Sequence, residues 1–186
     1  MANKVRYGLK SVYYATVTVS GSTVTYGTPV SWPGAVSLTL DPAGEDPGKF
    51  YADDVNYFTI PGTDDGYTGT LETALIPDSF LTNCLGYKAD NNGNIYEDAP
   101  EEPSPFALLF EFTGDDKQIR HVIYNCLAGR PSVSGQTKGN TISVQTESIS
   151  IVASPAVDTN VVKMKCDPSG ANYSTWYSAV VAPVVS

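Results

Sequence analysis

From Val55 to Leu85 the hydrophobic and polar positions fall into three successive patterns. Val55, Asn56, Tyr57, Phe58, Thr59 and Ile60 form a β-branched and aromatic run, closed by Pro61-Gly62 and Asp64-Asp65-Gly66. From Tyr67 the chain alternates, with Tyr67, Leu71 and Leu75 on one face and Thr68, Thr70 and Glu72 on the other. That is the period of a strand with one buried and one wet face. Pro77-Asp78-Ser79 then precedes Phe80, Leu81, Cys84 and Leu85 at helical spacing, with Gly86 just beyond. The spacing predicts a β-hairpin turning back at 61–66 and leading directly into one helix over 77–85.

The flanking segments predict mostly strands. Residues 1–9 are short and basic and read as an arm. Val12 to Val19 and Thr23 to Tyr26 flank Gly21-Ser22 as a hairpin, and Val36, Leu38 and Leu40 alternate with Ser37 and Thr39. Asp41 to Lys49 holds two prolines and two glycines, which break ladders and helices alike, so an exposed extended loop is expected.

Beyond the central unit, Asp90-Asn91-Asn92-Gly93-Asn94 is a turn between two short strands, and Ala99 to Pro105 is a loop. Phe106 to Phe112 and Ile119 to Leu127 are the most apolar strand pair and the expected core. In Thr141 to Val152, Ile142 and Val144 share one parity and Ile149 and Ile151 the other, which predicts a bulge near 146–148. Val161 to Cys166 reads as a last short strand. Within the C-terminal segment 167–186, Tyr173, Trp176, Tyr177 and Val180 have the spacing of a short helix. Many short strands with one firm helix predict a mainly β fold: two packed antiparallel sheets, as a sandwich or open barrel, with a flanking helix.

Composition narrows the function classes. A chain of 186 residues suits a single domain spanning 1–186, and 17% charged residues with 41% hydrophobic ones suit a globular fold. A formal net charge of −9 argues against a basic face for nucleic acid. Cys84, Cys126 and Cys166 are odd in number and lack any CxxC spacing, which predicts reduced core thiols rather than a disulfide framework or a zinc site. The opening residues lack the apolar core of a signal peptide, and no run approaches a membrane span, so neither export nor membrane insertion is expected.

Catalytic constellations are sparse. A calcium-loop reading beginning at Asp90 places Ile95 where the sharp turn needs glycine. His121, the single histidine, shares parity with Ile119, Ile123 and Leu127 and reads as a packed strand residue rather than a base. The pairs Asp53-Asp54, Asp64-Asp65, Glu101-Glu102 and Asp115-Asp116 invite a glycosidase reading, yet most sit in turn signals where Asp serves the backbone. Asn172-Tyr173-Ser174 matches a glycosylation acceptor with no export signal to use it. No phosphate-loop, dinucleotide or nucleophile-elbow motif occurs, so no enzyme activity and no cofactor is expected.

Several segments also carry a resemblance: Val5 to Ala15, Trp32-Pro33-Gly34-Ala35-Val36, Tyr51-Ala52-Asp53-Asp54, and Asp78 to Lys88 with Leu85-Gly86-Tyr87. Phe106 to Glu111, Tyr124-Asn125-Cys126, Arg130-Pro131 and Trp176-Tyr177 extend it along nearly the whole chain. In order and spacing the set resembles the major tail protein family of long, non-contractile phage tails. The resemblance implies a virion subunit assembled in the host cytoplasm, forming rings of six copies stacked into a tail tube. Tail-tip, length-determining and terminator proteins would be its partners, and DNA would pass through without specific binding.

On that expectation the wet positions Thr68, Thr70 and Glu72, with Glu147 on the later strand, would face an acidic channel that does not retain phosphates. Asp41, Glu45, Asp46 and Lys49 of the loop, with Lys4 and Arg6 of the arm, would reach an adjacent ring. A tube subunit of a contractile tail or secretion system would share these features. A different class, a carbohydrate- or receptor-binding β-sandwich using Tyr173, Trp176 and Tyr177, stays open, and a glycoside hydrolase is remote.

Overall fold

A computed structural model describes residues 7–114, 117–137 and 144–184. The chain is mainly β, with thirteen strands and one helix among these residues. The N-terminal third holds β1 (Leu9–Ser20), β2 (Thr23–Tyr26), β3 (Val30–Ser31), β4 (Ala35–Ala43), β5 (Gly48–Ala52), β6 (Val55–Ile60) and β7 (Gly66–Thr73). Helix α1 (Asp78–Cys84) follows, then β8 (Lys88–Ala89), β9 (Ile95–Tyr96), β10 (Phe106–Phe112), β11 (Arg120–Ala128), β12 (Glu147–Ser154) and β13 (Lys163–Cys166).

Nine strands form one antiparallel sheet in the order β2-β1-β10-β11-β12-β7-β4, with β3 against β1 and β13 against β11. The sheet divides along β11. Residues Arg120 to Ile123 pair with β13, whereas Asn125 to Ala128 pair with β12. One layer, around β1, β10 and β11, therefore bends into the other, made of β12, β7 and β4. Leu108, Phe110 and Ile123 of the first meet Leu71, Ile149 and Ile151 of the second in one core. This is the sandwich-like arrangement expected from the pattern of short strands.

Helix α1 closes one side of that core. Phe80 is fully buried, edge-on to Tyr14 and Phe106 and 4.4 Å from the Trp32 ring. The Tyr14 hydroxyl donates to Ser79 Oγ at 2.8 Å, and Trp32 Nε1 donates to Thr73 Oγ1 at 3.2 Å, so the buried aromatics keep partners for their polar atoms. The helix runs as the sequence predicts. Gly86 takes φ +75°, a left-handed conformation that glycine adopts without strain, and the Tyr87 N–H returns to the Leu81 carbonyl at 3.1 Å.

A second core lies on the opposite face of β10 and β11, where Leu109, Val122 and Tyr124 pack under Trp176. Both faces of Phe106 to Phe110 are thus covered: the two parities of this strand, Phe106, Leu108 and Phe110 against Ala107 and Leu109, enter two different cores. The segment predicted as a helix over 172–180 is instead a succession of turns. It is fastened by side chains. The Arg120 guanidinium lies 3.9 Å from the Tyr173 ring centre and 4.8 Å from that of Tyr177, and it also donates to the Tyr173 carbonyl. Tyr177 stacks on Tyr13 at 4.6 Å. The three-and-four spacing records a packing face held from outside, without a helical backbone.

The predicted reversal at 61–66 does not occur. β6 pairs with β5, and β7 pairs with β4 and β12. Residues 35–52 run against 55–73 as one long ribbon, whose tip is Asp53-Asp54 with φ of 49° and 61°. Left-handed values at both central residues match the twist of a two-residue hairpin, and Asp tolerates them better than most residues.

The predicted loop over Asp41 to Lys49 is likewise largely strand: β4 runs to Ala43 and β5 starts at Gly48. Between them is a joint, not a free loop. The Thr63 N–H donates to the Glu45 carbonyl at 3.1 Å, and the Asp65 N–H to the Ala43 carbonyl at 3.0 Å. A Cβ on Gly44 would lie 2.1 Å from the Thr63 carbonyl oxygen, and one on Gly62 2.3 Å from that of Glu45. Glycine lets the two backbones approach closely at this joint.

Smaller corrections concern strand ends. Residues 7 and 8, assigned to the arm, already pair with the main sheet through the Gly8 and Tyr7 carbonyls, which accept from Thr113 and Gly114. The β7–β12 register runs without a shift, so no bulge falls at 147–148; Ile142 lies outside the described residues. Leu75, expected on the buried face, is 71% exposed because β7 ends at Thr73.

Candidate assembly surfaces

Three strands, β4, β7 and β12, present one outward face whose residues form cross-strand rows. Ser37, Glu72 and Ser148 make the first row, Thr39, Thr70 and Ser150 the second, and Asp41, Thr68 and Val152 the third. The inward parity of the same strands is Leu38, Leu40, Leu71, Ile149 and Ile151. The alternation that marks Thr68, Thr70 and Glu72 as wet thus holds, and the structure extends it to two neighbouring strands. These rows carry hydroxyls and two carboxylates, with no lysine or arginine.

Glu72 is fixed within the face. Thr146 Oγ1 donates to its Oε1 at 2.6 Å and Ser37 Oγ to its Oε2 at 3.0 Å. These two hydrogen bonds, the Thr146 one foremost, hold the carboxyl below its ordinary pKa. Glu147 does not join it. Glu147 lies opposite Thr73, on the inward parity, and its carboxylate accepts the Ile76 N–H at 2.7 Å, fixing the chain between β7 and α1. Only the first three of the proposed channel residues share a face; parity along β12 alone separates Glu147 from them.

Two backbone edges border this face among the described residues. β4 has β7 on one side and no strand on the other. β12 pairs with β7 from Glu147, yet its contact with the β11 side begins only at Ser150, whose carbonyl accepts the Gly129 N–H at 2.9 Å, and its ladder with β11 at Ile151. Unpaired edges of this length are a ready template for another strand.

The second surface is the distal half of the ribbon. Phe50, Tyr51, Val55, Tyr57, Phe58 and Ile60 are each more than half exposed, Tyr57 at 74%. Phe50 and Phe58 oppose each other across the two strands. Single exposed apolar residues are ordinary, whereas six on one projecting element are not. The sequence shows Val55 to Ile60 as a strand and leaves Phe50 and Tyr51 unassigned, and nothing local reports that the pair lacks a core.

Of the proposed inter-ring residues, Asp41 falls on the outward face and Glu45 and Asp46 in the joint. Lys49 lies on β5, opposite Thr59. Lys4 and Arg6 are outside the described residues.

The other candidate chemistry is absorbed by packing. Asp90 accepts from the Asn92 and Asn94 N–H groups and from the Asn94 amide, each at 2.8 Å, closing the β8–β9 turn and holding its carboxyl below the ordinary range. His121 stacks on Phe110 at 5.2 Å. Trp176 is buried and Tyr177 is covered by Tyr13, so neither ring offers a free stacking face. Among the described residues no group of three or more His, Cys, Asp or Glu is placed to hold a metal, and no helix is long and apolar enough to cross a membrane.

No protein-family model matches the chain, and no curated protein matches it in sequence. The structure itself defines a mainly β, sandwich-like protein with one flanking helix, a polar outward sheet face and a projecting apolar ribbon.

Proposed function

We propose that this chain is a structural subunit that assembles with copies of itself into stacked rings, as the tube of a long non-contractile phage tail. The observation that carries the reading is the β5–β6 ribbon, whose exposed aromatic and aliphatic side chains have no partner surface within the described chain. A stable monomer gains nothing from such an element, whereas an assembly buries it between subunits.

The β4 edge and the start of β12, Glu147 to Ile149, supply sites at which neighbouring copies join their sheets around a ring. The Ser/Thr-rich face with Glu72 and Asp41 then lines the channel. Hydroxyls and carboxylates give passing DNA no cationic partner, so no counterions are released and the duplex is not held. The overall net charge of −9 acts in the same direction.

Electron microscopy of the purified full-length protein at high concentration, alongside sedimentation, tests this proposal. Rings or tubes with a central hole are expected. A strict monomer that also fails to form particles when tail-tip proteins are supplied refutes it.

A further inference from the structure

We infer that a cleft between the two layers binds a small amphipathic anion, a carboxylate carried on an alkyl or aryl body. The cleft lies where β13 and β12 diverge from β11 and is a half-open hollow of about 500 Å3. One wall is Leu40 and Tyr67 of the β4–β7 layer; the other is Phe110 and Phe112 of β10, with Lys163 and Lys165 of β13 on the rim. Volume and lining are those of a small-molecule site, a mostly apolar hollow with few polar groups.

The walls are braced. Phe110 stacks on His121 at 5.2 Å and meets Phe112 edge-on at 5.7 Å, which fixes the aromatic surface. On the rim, Lys163 and Lys165 share one face of β13, opposite Ile123 and His121. Two residues along a strand span roughly 7 Å, close enough for both ammonium groups to reach one carboxylate. Lys163 is also oriented: its Nζ sits 4.3 Å over the Tyr67 ring and donates to the Tyr67 hydroxyl.

Charge identifies the ligand's head. Among the described residues Lys10, Lys88, Arg120 and Arg130 form ion pairs with carboxylates, whereas Lys163 and Lys165, like Lys49 on the ribbon, form none. What sets Lys163 and Lys165 apart is position: in a chain of net charge −9 they place two cations side by side on one strand face at the apolar cleft. An anionic head completes their hydrogen bonding while the body replaces water on the aromatic walls. The inference is independent of whether the chain assembles.

Calorimetric titration of the full-length protein with decanoate, and separately with decanol, provides the test. One-site saturable binding of decanoate is expected. The double substitution Lys163→Ala/Lys165→Ala should weaken it about tenfold and leave decanol unchanged. Both lysines are exposed, so the variant keeps the fold. Decanoate binding unaffected by the substitution would overturn the assignment and leave the lysines as guards of an edge strand. No decanoate binding, with assembly lost in the same variant, would also overturn it and assign the cleft to a second copy.

Discussion

In the proposed assembly, removing aromatic surface from the ribbon should uncouple association from folding. The perturbation is Tyr57→Ser, alone and with Phe58→Ser; the two side chains are 74% and 58% exposed. Each ring offers ~100 Å2 of apolar surface to a neighbour, worth ~2–3 kcal/mol when buried. One substitution should therefore raise the concentration needed for assembly roughly 30- to 150-fold. Within the monomer those rings touch solvent, so the folding free energy should move by less than about 0.5 kcal/mol and the Tm by at most about 2 °C. Pelleting across a concentration series reads the first quantity, and scanning calorimetry at concentrations below assembly reads the second. A Tm loss as large as that of a core truncation would show that the ribbon folds back on its own subunit. Unchanged assembly would show that it is no contact at all. Either result refutes the reasoning.

Three further outcomes concern single side chains. Phe80→Ala removes a fully buried ring touching Tyr14, Trp32 and Phe106; it should cost about 3–5 kcal/mol and lower the Tm by about 6–20 °C in thermal unfolding. Burial pushes the Cys84 thiol up to about 12 and raises Cys126 as well, whereas Cys166 is only half-buried; a thiol reagent should modify Cys166 alone in the native protein, and rapid reaction of all three would contradict the core. The folded pKa of Glu72 is depressed, so its contribution to stability is present above the unfolded value and fades as pH falls through the folded one. Thr146→Val should move that pKa up toward the ordinary range in a carboxyl-detected NMR titration, and an unmoved value would reject the hydrogen-bond cause.

What the sequence revealed and what it concealed divide along a physical line. Side-chain parity is local, because alternate residues of a strand point to opposite faces wherever the strand pairs. Thr68, Thr70 and Glu72 could therefore be assigned to a wet face from their own segment, and Phe80, Cys84 and Leu85 to a helix packed inward. Pairing is not local. Pro61-Gly62 and Asp64-Asp65-Gly66 carry every mark of a reversal, yet they face Gly44 and Pro47 across a joint, while the chain turns at Asp53-Asp54. Proline and glycine mark where a ladder is interrupted, and a kinked ribbon is interrupted on both strands at once. A lone segment gives no way to distinguish that from a loop.

The same distinction bears on the candidate surfaces. A polar face read on β7 becomes a surface only because Ser37, Thr39 and Asp41 on one side and Ser148 and Ser150 on the other fall into its rows. None of these three segments is unusual alone, since Ser and Thr are common on wet strand positions. Placed side by side, they make a continuous face with two carboxylates and no cation, bordered among the described residues by the β4 edge and by the start of β12, Glu147 to Ile149, which has no strand on its other side. Beside it the ribbon projects six apolar side chains into solvent. In the proposed assembly, neighbouring copies would supply the partners that these edges and the ribbon lack among the described residues. A face that offers DNA no cation is what such an assembly can turn inward without retaining what passes through.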